Sequence, residues 1–75
     1  MDVSLNLGRR TRSYQLEAEP DEEFGVGDIL DLGRGQGVVH RIKTTHGLRR
    51  EGRIPARDIV RVYCKPLRGP RERRR

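Results

Sequence analysis

Three side chains in this 75-residue sequence carry donors that a soft metal would accept: His40, His46 and Cys64. A structural zinc site takes four such ligands, usually as closely spaced cysteine or histidine pairs. No pair here has that spacing, so no metal site is expected. Cys64 has no identifiable base to activate it as a nucleophile. As the only cysteine it forms no internal disulfide, which suits a reducing compartment. Asp28 and Asp31 come nearest to a carboxylate pair. Three apart on a strand, they would face opposite sides of a sheet, and Asp28 suits a turn whose backbone donors it accepts. Gly33, Gly35 and Gly37 spell G-x-G-x-G, but a nucleotide cradle needs a helix N-terminus after the glycines. A tight hairpin turn is the expectation, one that lets the backbone approach a phosphate chain closely. No catalytic constellation emerges, so neither an enzyme, nor a cofactor, nor a small-molecule substrate is expected.

The arginines offer different chemistry. There are fifteen of them against two lysines, and arginine is the better phosphate fork and base-stacking cation. Residues 1–31 hold three arginines and eight carboxylates, whereas residues 32–75 hold fourteen arginines or lysines against Glu51, Asp58 and Glu72. Within the second part, Arg49, Arg50, Arg53 and Arg57 are the densest group, with Arg34, Arg41 and Lys43 close by in sequence. Lys65, Arg68, Arg71, Arg73, Arg74 and Arg75 then form a tail that Pro66, Gly69 and Pro70 keep extended. Such a distribution fits neutralisation of backbone phosphates, with a tail entering RNA.

The elements that must position these residues are strands. Residues 2–7 alternate, with Val3, Leu5 and Leu7 on one face. Residues 12–19 alternate again, with Tyr14, Leu16 and Ala18 inward, and the two segments read as an opening hairpin. An acidic loop follows at residues 20–23. Residues 27–32 form the next strand, the glycine turn reverses it, and residues 38–44 are the clearest strand of the chain. There Val38 or Val39 points inward together with Ile42. Residues 45–52 form a loop or loose hairpin. Pro55 fixes φ and lacks a donor, which suits the start of one 3₁₀ turn. Residues 59–65 close the domain, with Ile59 and Val62 or Val60 and Tyr63 directed to the core. Residues 1–65 are thus expected as one small β-barrel domain and residues 66–75 as a basic tail. With 32% hydrophobic residues and three aromatics, the core is small, so a bound partner would add to its stability.

Two segments resemble known families. Phe24-x-Val26-Gly27-Asp28-Ile29-Leu30-x-Leu32 resembles the diverging segment of Src-homology-3-like barrels. Ile54-Pro55-Ala56-Arg57-Asp58-Ile59-Val60 resembles the 3₁₀ turn before that fold's closing strand. The resemblance implies an all-β, five- to six-stranded barrel. The peptide-binding activity of the signalling members does not carry over, because their groove needs clustered aromatics including tryptophan and this chain has no tryptophan. Gly27-Asp28 followed by Gly33, Gly35 and Gly37-Val38-Val39 resembles a KOW-type motif, with Arg34 in place of the usual lysine-rich turn. That motif occurs in small ribosomal proteins and transcription-elongation factors, where the glycine-bearing hairpin lies on RNA or contacts proteins, and the resemblance implies such contact at Asp28, Gly35, Gly37 and Val39.

The expected function is therefore that of an RNA-binding structural protein, ribosomal or ribosome-associated, lying among rRNA and neighbouring ribosomal proteins. The alternatives are a DNA-binding chromatin-type barrel and a protein-interaction module of a transcription or viral assembly. No apolar run approaches the roughly 20 residues of a membrane span and no secretory signal is legible, so a cytoplasmic location without membrane contact is expected.

Overall fold

The computed structural model describes residues 1–33 and 35–67, and the chain is built almost wholly of strands. These are β1 (Asp2–Asn6), β2 (Thr11–Gln15), β3 (Glu23–Gly25), β4 (Ile29–Asp31), β5 (Gln36–Thr44), β6 (Gly47–Arg49), β7 (Arg53–Pro55) and β8 (Ile59–Pro66). A 3₁₀ turn, Ala56–Asp58, separates β7 from β8, with the extended Pro55 at its N-terminus (φ −69°). Six strands form one curled sheet in the order β2-β1-β8-β5-β4, with β6 also on β5, while β3 and β7 pair separately. The fold is a small all-β one, as the alternation of apolar residues predicts.

β1 and β8 are parallel, with Val3 opposite Val62 and Leu5 opposite Cys64. This pairing joins the beginning of the described chain to its end across the middle of the sheet. The opening hairpin forms as expected, with Val3 opposite Tyr14 and Leu5 opposite Arg12. Its second strand stops at Gln15, although Leu16 and Ala18 still pack against the core. Leu7 lies beyond β1 and is 38% exposed, outside the core its alternation suggested.

The inner face gathers Val3, Leu5, Phe24, Leu30, Leu32, Val39, Ile42, Val62 and Cys64. Two β-bulges reconcile this set with the period of two that a strand imposes. Between β5 and β8 the register passes from Val39↔Cys64 to Arg41↔Tyr63, so His40 is the extra residue. It then passes from Lys43↔Arg61 to Thr44↔Ile59, so Val60 is extra. Val39 and Ile42, three apart, therefore both face inward, and so do Ile59 and Val62 in part.

Gly37 is buried in the inner face. A Cβ there would lie 3.0 Å from the Cβ of Cys64 and 3.3 Å from Leu32 Cδ1. Glycine at this position thus serves close packing of β4, β5 and β8 and not approach from outside. Gly33 turns the β4–β5 hairpin at φ +92°, a backbone region that side chains disfavour. Its N–H donates to Asp31 Oδ1 at 3.0 Å, and Leu32 N–H donates to the Gly35 carbonyl at 2.8 Å.

Among the described residues, no helix is long and apolar enough to cross a membrane.

Candidate nucleic-acid interface

The outer face of the β8–β5 pair carries the cations. Residues opposite one another in an antiparallel pair share a face, so Tyr63 with Arg41 and Arg61 with Lys43 stand together, and Lys65 stands opposite Val38. Arg61, Tyr63 and Lys65 alternate with the buried Val62 and Cys64, which places all three outward. From Arg61 to Lys65 the face extends about 13 Å at the usual rise per strand residue. The His40 bulge widens it. Arg50, which follows β6, lies near enough to act electrostatically on His40, as do Lys65 and Arg41.

The charges on this face are unequally compensated. Arg61 is held from the neighbouring β1: Nη1 donates to Ser4 Oγ at 2.8 Å, and Nη2 lies 3.6 Å from Asp2 Oδ2. Arg41, Lys43, Arg50 and Lys65 have no carboxylate within 4.0 Å among the described residues. His40 records the resulting field: its pKa falls below the ordinary imidazole value through burial first, then through Lys65, Arg41 and Arg50. Burial makes the larger contribution, and the three cations add a positive potential in which an anion is favoured.

Arg41 and Tyr63 occupy the centre. The guanidinium carbon stands 4.5 Å from the centroid of the Tyr63 ring, within cation–π range. Arg41 Nε is buried and has no hydrogen-bond partner among the described residues. A cation–π contact of this kind contributes about 0.5–1 kcal/mol, whereas a buried donor left unpaired costs about 1–3 kcal/mol. The stacked position is therefore held weakly at best, and little opposes its exchange for one in which Nε finds an acceptor.

The other arginines expected at an interface are distributed differently. Arg53 is exposed but engaged by the protein's own acceptors: Nη1 lies 3.2 Å from Asp28 Oδ1, and Nη2 donates to the Glu23 carbonyl at 2.9 Å. Asp28 also accepts the Gly25 N–H through Oδ2 at 2.9 Å, the turn role its sequence position predicts. This corner clamps β3 and β7 to the turn before β4. Arg49 is exposed on β6 opposite Ile42, and Arg57 is exposed on the 3₁₀ turn, its N–H donating to the Pro20 carbonyl at 3.0 Å. Gly33 and Gly35 are exposed at the hairpin tip, while Gly37 is internal. Arg34, Arg68, Arg71, Arg73, Arg74 and Arg75 lie outside the described residues.

Sequence reasoning thus finds Arg41, Lys43, Arg50 and Lys65, which the fold brings to one region, but passes over Tyr63 and Arg61. The signal for both is the run Arg61-Val62-Tyr63-Cys64-Lys65, where every second residue is polar or aromatic. The ambiguity at Val60 concealed it, because the two possible registers placed Tyr63 on opposite faces.

Cys64 lies on the inner side of the same strand with no exposed surface. Burial pushes its thiol pKa up to about 11, so it stays protonated at neutral pH. Among the described residues there is no group of three or more His, Cys, Asp or Glu able to hold a metal ion.

Comparison with known proteins gives one family. A family model described as a CPxCG-related zinc finger matches residues 1–65. No curated protein and no solved structure matches the chain. The chain belongs to the CPxCG-related zinc-finger family. It departs from the chemistry in that name, since the motif holds two cysteines and this sequence has one. Zinc binds thiolate and neutral imidazole in sets of four. The lone thiol is internal, no three such donors gather among the described residues, and His40 sits among cations that a metal ion would join. The residues present do not fit a zinc ion.

Proposed function

We propose that this member of the family is an RNA-binding structural protein that works without zinc, engaging the phosphate chain through the outer face of β5 and β8. The observation that carries this reading is a group of four cations without a carboxylate partner among the described residues: Arg41 over Tyr63, Lys43 and Lys65 on the same face, and Arg50 near His40. Uncompensated cations on a surface repel one another, and a polyanion removes that repulsion while releasing its own counterions. The net charge of +6 and the predominance of arginine act in the same direction. The family's zinc-finger description accords with nucleic-acid binding, and the KOW-type resemblance of the β4–β5 hairpin favours RNA. A ribosomal or ribosome-associated place in the cytoplasm, beside rRNA and neighbouring ribosomal proteins, is the setting that fits a small basic protein of this kind.

The test is a binding titration of the full chain with fluorescein-labelled RNA at several salt concentrations, paired with sedimentation of a native extract. With four phosphates neutralised, log K should fall with log salt at a slope of about −3, from roughly −0.7 per phosphate on a single strand. The protein should also travel with a ribosomal subunit at low salt. A slope near zero, or sedimentation with free protein at every salt concentration, would overturn the reading.

A further inference from the structure

Resting on that reading, the geometry points to single-stranded nucleic acid as the ligand, with one unpaired base stacking on Tyr63 in the place that Arg41 now occupies. The ring stands outward in the middle of the β8–β5 face, with Arg41 beside it and Lys43 and Lys65 towards the two ends. A strand laid across this face meets cations on both sides of an aromatic platform. That is the arrangement by which proteins hold single strands, where phosphates meet cations and bases meet π-faces. A duplex keeps its bases paired and offers this face only phosphates, so the ring would gain nothing from it.

Arg41 makes the platform exchangeable. Its guanidinium covers the ring in the free protein, but Nε has no hydrogen-bond partner there among the described residues. Leaving the ring lets the guanidinium donate to a phosphate oxygen in a charge-assisted, forked contact. The base then inherits an uncovered aromatic face, and the cation remains alongside to hold the backbone. No covalent change is involved, and Tyr63 and Arg41 act as a coupled pair of binding groups.

The chain has two tyrosines and no tryptophan, so Tyr14→Phe leaves Tyr63 as the sole source of tyrosine emission. The full-length Y14F protein is titrated with a twelve-nucleotide oligouridylate and, separately, with a twelve-base-pair RNA duplex. Oligouridylate should quench the Tyr63 emission and the duplex should not. Adding Tyr63→Leu, which preserves apolar bulk for folding, should weaken oligouridylate binding about 5- to 150-fold, the range given by the stacking of one base. It should leave duplex affinity unchanged, and Tyr63→Phe should retain single-strand affinity. Equal quenching by both ligands, or equal loss of both affinities in Y63L, would overturn the stacking proposal while leaving phosphate binding intact. If neither RNA binds at all, the face belongs to a protein partner, and the underlying functional reading falls with the proposal.

Discussion

Arginine occurs in two settings in this molecule, and they use it in opposite ways. At the β3–β7 corner, Arg53 meets Asp28, the Glu23 carbonyl and, at 3.9 Å, the Glu23 carboxylate. Its charge is spent on joining β7 to β3 and to the turn that follows β3, some 25 to 30 residues earlier in the chain. On the β5–β8 face, Arg41 has an aromatic ring for its neighbour and an Nε with no partner among the described residues. The residue type is the same, but what surrounds it decides whether the cation holds the fold or awaits a ligand. Carboxylates brought in by the fold mark the first case, and their absence marks the second. Density of arginine along the chain does not separate the two, since Arg53 sits in the richest stretch and is already paired with carboxylates of the fold.

The sharpest way to break this contrast is to reverse the charge of the face. Lys43→Glu together with Lys65→Glu should reduce RNA affinity roughly 30- to 100-fold at low salt, because two favourable contacts become two repulsive ones. The salt slope should become shallower by about 1.4. Both side chains are exposed, so the thermal midpoint should stay within the small range typical of surface changes. Fluorescence anisotropy and a thermal melt of the same sample read both quantities. Unchanged affinity would mean that the corner and the face do not differ in the way their carboxylates suggest.

Changes at the corner should have the inverse profile. A Cβ on Gly25 would come 2.9 Å from the Gly52 carbonyl oxygen and 3.2 Å from Arg53 Nη1. The first contact is with backbone and cannot swing aside, so Gly25→Ala should destabilise by about 1–3 kcal/mol. Arg53→Ala should cost less, about 1 kcal/mol or below, because that ion pair is solvent-screened. Denaturant unfolding measures both. Neither variant should change RNA affinity beyond about two-fold, measured where the protein is fully folded. A larger loss of binding in R53A would move Arg53 from the fold to the interface.

How much of this was legible in the sequence follows the same division. Val3, Leu5 and Ile42 could be assigned to a core because local alternation reports facing. The 3₁₀ turn after Pro55 and the capping role of Asp28 were likewise local and legible. The registers at Val38–Val39 and Val60 were not, because bulges at His40 and Val60 break the period on which such reading depends. Nor was the parallel β1–β8 pairing, since alternation tells a strand its faces but not its neighbour. At the site, the basic composition was visible, whereas the distinction between Arg53 and Arg41 was not. The partner of Arg53 lies 25 residues away, and only the folded chain brings Asp28 to it. Family membership was illegible for another reason: the motif cysteines that announce it are missing here.

The smallest expected effect concerns His40, and its sign tests whether RNA lies over the face at all. In the free protein His40 titrates below the ordinary imidazole value of 6.5, through burial and then through Lys65, Arg41 and Arg50. The native state therefore binds fewer protons than the unfolded chain just below pH 6.5, and stability falls as the pH drops through that region. A bound phosphate chain leaves the burial in place but offsets the three cations. The His40 pKa should accordingly rise on binding, RNA association should take up protons, and affinity should increase modestly as the pH falls below 6.5. An NMR titration of the His40 ring, with and without oligouridylate, reads this directly, and His40→Gln should flatten the pH dependence of affinity. Burial by the ligand and neutralisation by its phosphates push in opposite directions. An upward movement therefore requires negative charge close to the bulge. A downward movement would place bases over His40 with the phosphates turned away.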